Sequence, residues 1–250
     1  MTRFPLSPPI ALTIAGSDSG GGAGVQADLR TFAFHQVHGT SALTCVTAQN
    51  TTGVTRVDAI APAAVVAQIQ AVVNDLGVQA AKTGMLLNAE IIQAVAQTLQ
   101  AQPIASLVVD PVMVSRAGAQ LIDDAAVDTL RQALIPQALM LTPNRHEAQL
   151  LSDREVNTLD DMQAAAAAIH TLGCQSVLVK GGGMTDELRG VDVWFDGQEF
   201  AVLRTETVAT DDTHGTGCTL SAAIVANLAL GKDPFTAVTA ACLLYTSPSP

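Results

Sequence analysis

Short apolar runs alternate along this chain with longer stretches in which apolar residues recur at helical spacing. Ile10–Ala15, Ser41–Asn50, Val78–Met85, Ser106–Pro111, Leu139–Asn144 and Ser176–Gly183 read as strands, several apolar enough to be buried on both faces. Between them, Val25/Leu29/Phe32, Pro62–Leu76, Ile91/Val95/Leu99, Asp123–Leu134 and Leu159–Leu172 carry the period of amphipathic helices. Pro62 stands where a helix accepts proline, at its first position. Val191–Phe200 reads as a hairpin around Asp196-Gly197. Alternation this regular predicts an α/β fold: a mainly parallel central sheet with helices on both faces. Neither repeat, linker nor low-complexity segment interrupts the sequence, so residues 1–250 are expected to form one domain.

Composition narrows the classes. Of 250 residues, 48% are hydrophobic and 14% charged, which provides for a sizeable core and argues against disorder. A net charge of −11 speaks against a nucleic-acid surface. Cys45, Cys174, Cys218 and Cys242 form no C-x-x-C pair, and unpaired cysteines fit a reducing, cytoplasmic setting. Neither a signal-peptide core nor an unbroken bilayer-spanning run is legible, so no membrane partner is expected.

The candidate chemistry sits at strand ends. Gly16–Gly24 is a glycine-rich turn ahead of a helix, but no acidic residue ends a second strand at dinucleotide-fingerprint distance. A turn where backbone meets a small ligand is the better reading. Asp28 lies one turn into that helix, either favoured there by the helix dipole or facing the turn to hold a polar ligand. Gln49 ends a strand with a donor and an acceptor, which suits a heterocycle edge or the local backbone. Asn144 and Glu147 share the first turn of a helix, as a capping pair or as oxygen donors to magnesium. Lys180 precedes three glycines. Asp211–Cys218 is a second glycine-rich turn running into a helix, where free amides favour an anion and the dipole would depress the Cys218 thiol pKa.

Seven ordered blocks together are more specific than any one of them. Gly16-Ser17-Asp18 through Gly24, Val46–Asn50, Lys82–Met85, Asp110–Met113, Thr142-Pro143-Asn144 with Glu147, Lys180-Gly181-Gly182 and Thr213–Cys218 resemble the hydroxymethylpyrimidine/phosphomethylpyrimidine kinases of thiamine biosynthesis. These belong to the ribokinase superfamily, and the resemblance runs from Ile10 to Leu244.

It implies a three-layer ribokinase-like fold, and transfer of the ATP γ-phosphoryl group to hydroxymethylpyrimidine and then to its monophosphate. It places the pyrimidine among Gly16, Asp28, Gln49, Met85 and Val112, and ATP by Lys180, Gly182, Asn144 and Thr213. Mg²⁺ falls to Glu147 and Asp110, with Asn144 helping to organise it. The amides from Gly215 through Gly217 to Cys218 would stabilise transferred charge, and Cys218 would be the base where many ribokinase relatives carry Asp. A homodimer is also implied. Pyridoxine or pyridoxal kinase shares the fold and the Cys variant and is the alternative activity. A non-catalytic vitamin-precursor binder is a further alternative, against which Lys180, Glu147 and Cys218 count. The chain departs from the family in Ser19-Gly20 and at its end. There a final helix from Asp233 is expected to stop short, with Tyr245–Pro250 a non-native or disordered tail.

Overall fold

The computed structural model describes residues 8–113, 122–184, 186–205 and 214–242. The expected tail at 245–250 and Thr213 lie outside them.

The chain enters on strand β1 (Ile10–Asp18), turns into helix α1 (Gly24–Phe34) and returns on the long strand β2 (His38–Asn50). Strand β3 (Gly53–Ala59) folds back on it, helped by Asn50 Oδ1, which accepts from the Thr52 and Gly53 amides. Helix α2 (Pro62–Leu76) has the bounds its sequence dictates: Pro62 at the start and Gly77 in the left-handed region at φ 71° past the end. Strand β4 (Ala80–Thr83), helix α3 (Ala89–Ala101) and strand β5 (Ser106–Val109) follow. Helix α4 (Asp124–Thr129) runs on through a π turn (Leu130–Leu134), filling the expected helical span.

Strand β6 (Met140–Leu141), helices α5 (Arg145–Ser152) and α6 (Leu159–His170), and strand β7 (Val177–Val179) continue the alternation. The expected hairpin forms as β8 (Val191–Phe195) and β9 (Phe200–Arg204). Helices α7 (Thr216–Ala229) and α8 (Pro234–Cys242) complete the described chain.

All nine strands join one sheet in the order β3-β2-β1-β4-β5-β6-β7-β8-β9. The pairs from β2 to β7 are parallel, and β3, β8 and β9 close the two edges antiparallel. The expected α/β layering is therefore present.

Side chains alternate across a strand, so each strand feeds two cores. Leu12, Ile14, Ala81, Leu107, Val109, Leu141 and Val179 pack beneath α2 to α6. Ala11, Ala80, Val108, Met140 and Leu178 pack against α1, α7 and α8. Phe32 of α1 is fully buried in this second core, a burial that contributes roughly 1.5–3 kcal/mol.

Candidate active site

Neighbours of β1 depart in opposite directions, β2 to one side and β4 to the other. In open α/β sheets such a reversal leaves a crevice outside the carboxyl ends of the strands. Gly16 and Asp18 end β1, Gln49 lies near the end of β2, and Met85 follows β4. Asp110 and Val112 follow β5, Thr142 and Asn144 follow β6, and Lys180 follows β7. One cleft thus collects most of the strand-end residues singled out in the sequence.

The two glycine-rich turns close on each other. Gly215 caps α7 at φ 78°, and a Cβ there would overlap the Gly22 carbonyl oxygen. Only glycine allows that approach. His214 Nε2 lies 2.9 Å from Asp18 Oδ2 and 3.2 Å from Gln49 Nε2. Asp18 also accepts from the Gly20 and Ala23 amides, at 2.8 Å each. Burial alone would raise its pKa, but the bonds from His214 and the amides hold it below 3.8.

Gly16 marks the cleft floor. A Cβ there would stand 2.5 Å from Cys45 Sγ and 3.1 Å from Met85 Cε. Met85, Val112 and Gln49 are half-buried. They leave an apolar surface with one amide at its border, the surface a small heterocycle needs.

Toward β7 the cleft becomes ionic. Lys180 Nζ donates to Asp110 Oδ1 at 2.9 Å, and Thr142 Oγ1 donates to the same oxygen at 3.1 Å. Ser221 Oγ of α7 donates to Asp110 Oδ2 at 3.0 Å. Burial opposes the Asp110 charge, but Lys180 and then Lys82 keep its pKa below the usual range. Lys180 Nζ also stands 3.2 Å from where a Cβ of Gly217 would be, so a cation lies against the amino terminus of α7. Gly182 is exposed with open space around it.

Asn144 and Glu147 form a reciprocal capping box on α5. Asn144 Oδ1 accepts from the Glu147 amide at 3.0 Å, and Glu147 Oε2 from the Asn144 amide at 2.8 Å. Glu147 is almost fully buried behind this cap. Burial pushes its pKa up to about 8, against Lys180 and with Asp110 adding repulsion. The cap accounts for the spacing of the two residues, and burial accounts for most of the rise at Glu147.

Two expectations are corrected. Asp28 does not face the glycine turn. It is fully buried, accepting from Lys82 Nζ at 2.7 Å and from Thr13 Oγ1 at 2.6 Å, so both of its oxygens are occupied. The Cys218 thiol is not depressed by the helix start. Burial pushes it up to about 11, with Lys82 opposing.

Lys82 and the Asp18–His214 pair were not singled out from the sequence. Lys82 had a signal: a lysine inside the apolar run Ala80-Ala81-Lys82 demands a buried partner. Its partner lies 54 residues away on another element, which no local pattern reveals.

Comparison with known proteins agrees with this geometry. The family model described as phosphomethylpyrimidine kinase matches residues 18–247. A hydroxymethylpyrimidine/phosphomethylpyrimidine kinase of Synechococcus elongatus is 62% identical over 236 residues, 94% of this chain and 89% of its own. The crystal structure of phosphomethylpyrimidine kinase from Clostridium difficile superposes with a TM-score of 0.86 at 39% identity, covering 95% of this chain and 98% of that one. Bacillus subtilis pyridoxal kinase, solved as an ADP complex, gives a TM-score of 0.86 at 42% identity, covering 94% and 89%. A match this extensive in sequence and fold leads to one conclusion: the chain belongs to the phosphomethylpyrimidine kinase family.

Proposed function

We propose that this cleft transfers the γ-phosphoryl group of ATP to the hydroxymethyl oxygen of 4-amino-5-hydroxymethyl-2-methylpyrimidine, and then phosphorylates the monophosphate, in thiamine biosynthesis. One observation carries the reading: the Lys180 ammonium, balanced by Asp110, stands against Gly217 at the amino terminus of α7. Phosphoryl transfer needs such preorganised positive charge more than covalent chemistry. In this reading the pyrimidine lies over Gly16 between Met85 and Val112, with Gln49 at its polar edge. The phosphates lie toward Lys180 and Gly182, and Asn144 and Thr213 border the nucleotide. The amides of Gly215, Gly217 and Cys218 stabilise the transferred group, and Cys218 takes the alcohol proton.

The residues fit a phosphate-bound Mg²⁺. Among the described residues, no cluster of three or more His, Cys, Asp or Glu could hold a metal by itself. Mg²⁺ is ordinarily held by one or two carboxylates together with substrate phosphates. Glu147 and Asp110 would be those carboxylates, two buried acids that both interact with Lys180. When bound, the ion neutralises phosphate charge.

We also read residues 10–244 as a single kinase domain acting as a homodimer in the cytoplasm. Val54 and Val57 are exposed on one face of the β2–β3 ribbon, opposite Gln49 and Thr47, an apolar surface for a second copy. Four free cysteines suit a reducing compartment, and among the described residues no helix is long and apolar enough to cross a membrane.

A second reading, pyridoxal kinase activity, draws on the likeness to the Bacillus subtilis enzyme. One coupled assay with ATP and Mg²⁺ compares hydroxymethylpyrimidine, its monophosphate and pyridoxine. Both pyrimidines are expected to turn over faster than pyridoxine. A preference for pyridoxine, or no turnover of either pyrimidine, would overturn the proposal.

A further inference from the structure

Strand β7 leaves the sheet where the glycine turn after Lys180 begins. Its antiparallel ladder with β8 pairs Val177 with Phe195, Leu178 with Trp194 and Val179 with Val193, and ends there. Lys180 bridges instead to Asn144 on the other side, its amide donating to the Pro143 carbonyl at 2.9 Å. The next amide is taken by a side chain: Gly181 N–H donates to Asp192 Oδ1 of β8 at 2.8 Å. A Cβ on Gly181 would overlap the Val191 carbonyl oxygen, so this backbone is pressed directly against the start of β8. Met184 donates back to the Gly181 carbonyl at 2.9 Å and closes the turn.

We propose that Asp192 is a positioning residue for the nucleotide: by holding the Gly181 amide it fixes the turn from Lys180 to Gly183 on which the phosphates of ATP lie. The proposal rests on the function given above for the place of ATP.

Strand alternation puts the carboxyl where it can do this. Val193 and Phe195 belong to the core under α2 to α6, whereas Asp192 shares the face of Trp194, which α7 and α8 cover. A carboxyl withdrawn from water must be hydrogen-bonded. Oδ1 has the Gly181 amide, and Oδ2 accepts from the Cys242 thiol of α8 at 3.7 Å. Burial raises the Asp192 pKa, and the Gly181 amide is the largest influence against it. The group therefore serves as an acceptor more than as a charge, and an amide of the same shape can replace it. Without an acceptor, the Gly181 N–H is left unpaired, and the turn must move to satisfy it. Such a movement would carry with it the backbone of Lys180, whose ammonium stands against Gly217.

The test is calorimetric titration of the full chain with ATP and Mg²⁺, beside KM measurements for both substrates. Asp192→Ala should weaken ATP roughly tenfold and raise its KM in proportion, with KM for hydroxymethylpyrimidine unmoved. Asp192→Asn should restore the affinity. Cys242→Ala removes the other partner of Asp192 and should leave ATP binding unchanged. A general loosening of the packing would instead raise both KM values together. Wild-type ATP affinity in a folded Asp192→Ala variant, or no restoration by asparagine, overturns the proposal. Where Asp192→Ala does not fold, amide hydrogen exchange in the wild-type chain decides: Gly181 should be protected well above its exposed neighbour Gly182, and equal protection overturns the proposal. A wild-type chain that binds no ATP would overturn the proposed function instead, while exchange at Gly181 would still report the bond to Asp192.

Discussion

Lys180 Nζ and Asp110 Oδ1 meet at 2.9 Å across 70 residues of chain, both largely withdrawn from water. Removing one partner of a buried pair leaves the other charge uncompensated. Lys180→Met should therefore lower unfolding free energy by about 3–5 kcal/mol in urea titrations. It should also lower phosphoryl transfer by roughly 10²-fold or more. The double variant Lys180→Met with Asp110→Asn should recover much of the stability and none of the activity. Recovered activity in the double variant would remove Lys180 from the chemistry.

Asp18 ties the two glycine turns together through His214, and the sign of its pH effect can be worked out. Its folded pKa lies below the ordinary 3.8, so the unfolded chain binds its proton first as pH falls. The stabilisation is present above pH 4 and is lost as pH drops through the folded pKa. Asp18→Asn should therefore cost about 1–3 kcal/mol at pH 7, with the difference from wild type shrinking below pH 4. Melting curves across that range check it; a difference that persists unchanged in acid would mean the carboxylate charge is irrelevant.

Cys218 as the base predicts a kinetic signature. Cys218→Ala should reduce kcat by roughly 10²–10⁴-fold, with little change in KM for ATP because the α7 amides remain. Serine should not restore the rate. Near-normal kcat in the alanine variant would reduce Cys218 to a wall of the pocket.

Gln49 has its amide nitrogen 3.2 Å from His214 Nε2, so the proposed substrate edge and the α7 turn are neighbours. Gln49→Ala should weaken the pyrimidine by about 1–3 kcal/mol, roughly 5- to 150-fold in KM, and shift preference toward pyridoxine. Parallel KM measurements on both substrates decide it; an unmoved preference excludes Gln49 as the reader.

The exposed valines of the β2–β3 ribbon predict that Val57→Glu yields a monomer by sedimentation velocity while wild type sediments as a dimer. A monomeric wild type would refute the assigned assembly.

Much of this architecture was legible because its elements are locally determined. Helix α2 carries its own start and stop in Pro62 and Gly77, and the hairpin at Asp196-Gly197 carries its turn. Strand β3 was not read: all of Gly53–Ala59 is exposed, so neither burial nor alternation marks it, and only pairing with β2 defines it. Asn144 and Glu147 were legible as a pair but not in their roles, since capping and ligation ask for the same spacing. Asp28 was placed on the right helix and in the wrong surroundings. Its surroundings depend on Lys82, a contact between elements that spacing along one helix does not encode.

Strand alternation also decides where this sequence can change. Thr13, Lys82, Thr142 and Lys180 come from four strands or their ends, and with Asp110 they bond groups on the face covered by α1 and α7 or each other. The opposite slab under α2, α3 and α6 is filled by interchangeable aliphatic side chains such as Val65, Ile92 and Ala165. Volume-conserving exchanges there should cost less than about 1.5 kcal/mol each and leave turnover intact. Beneath α2, α3 and α6, away from the capped start of α5 that carries Asn144 and Glu147, adaptation to a new temperature therefore has the most room to act on side-chain packing alone.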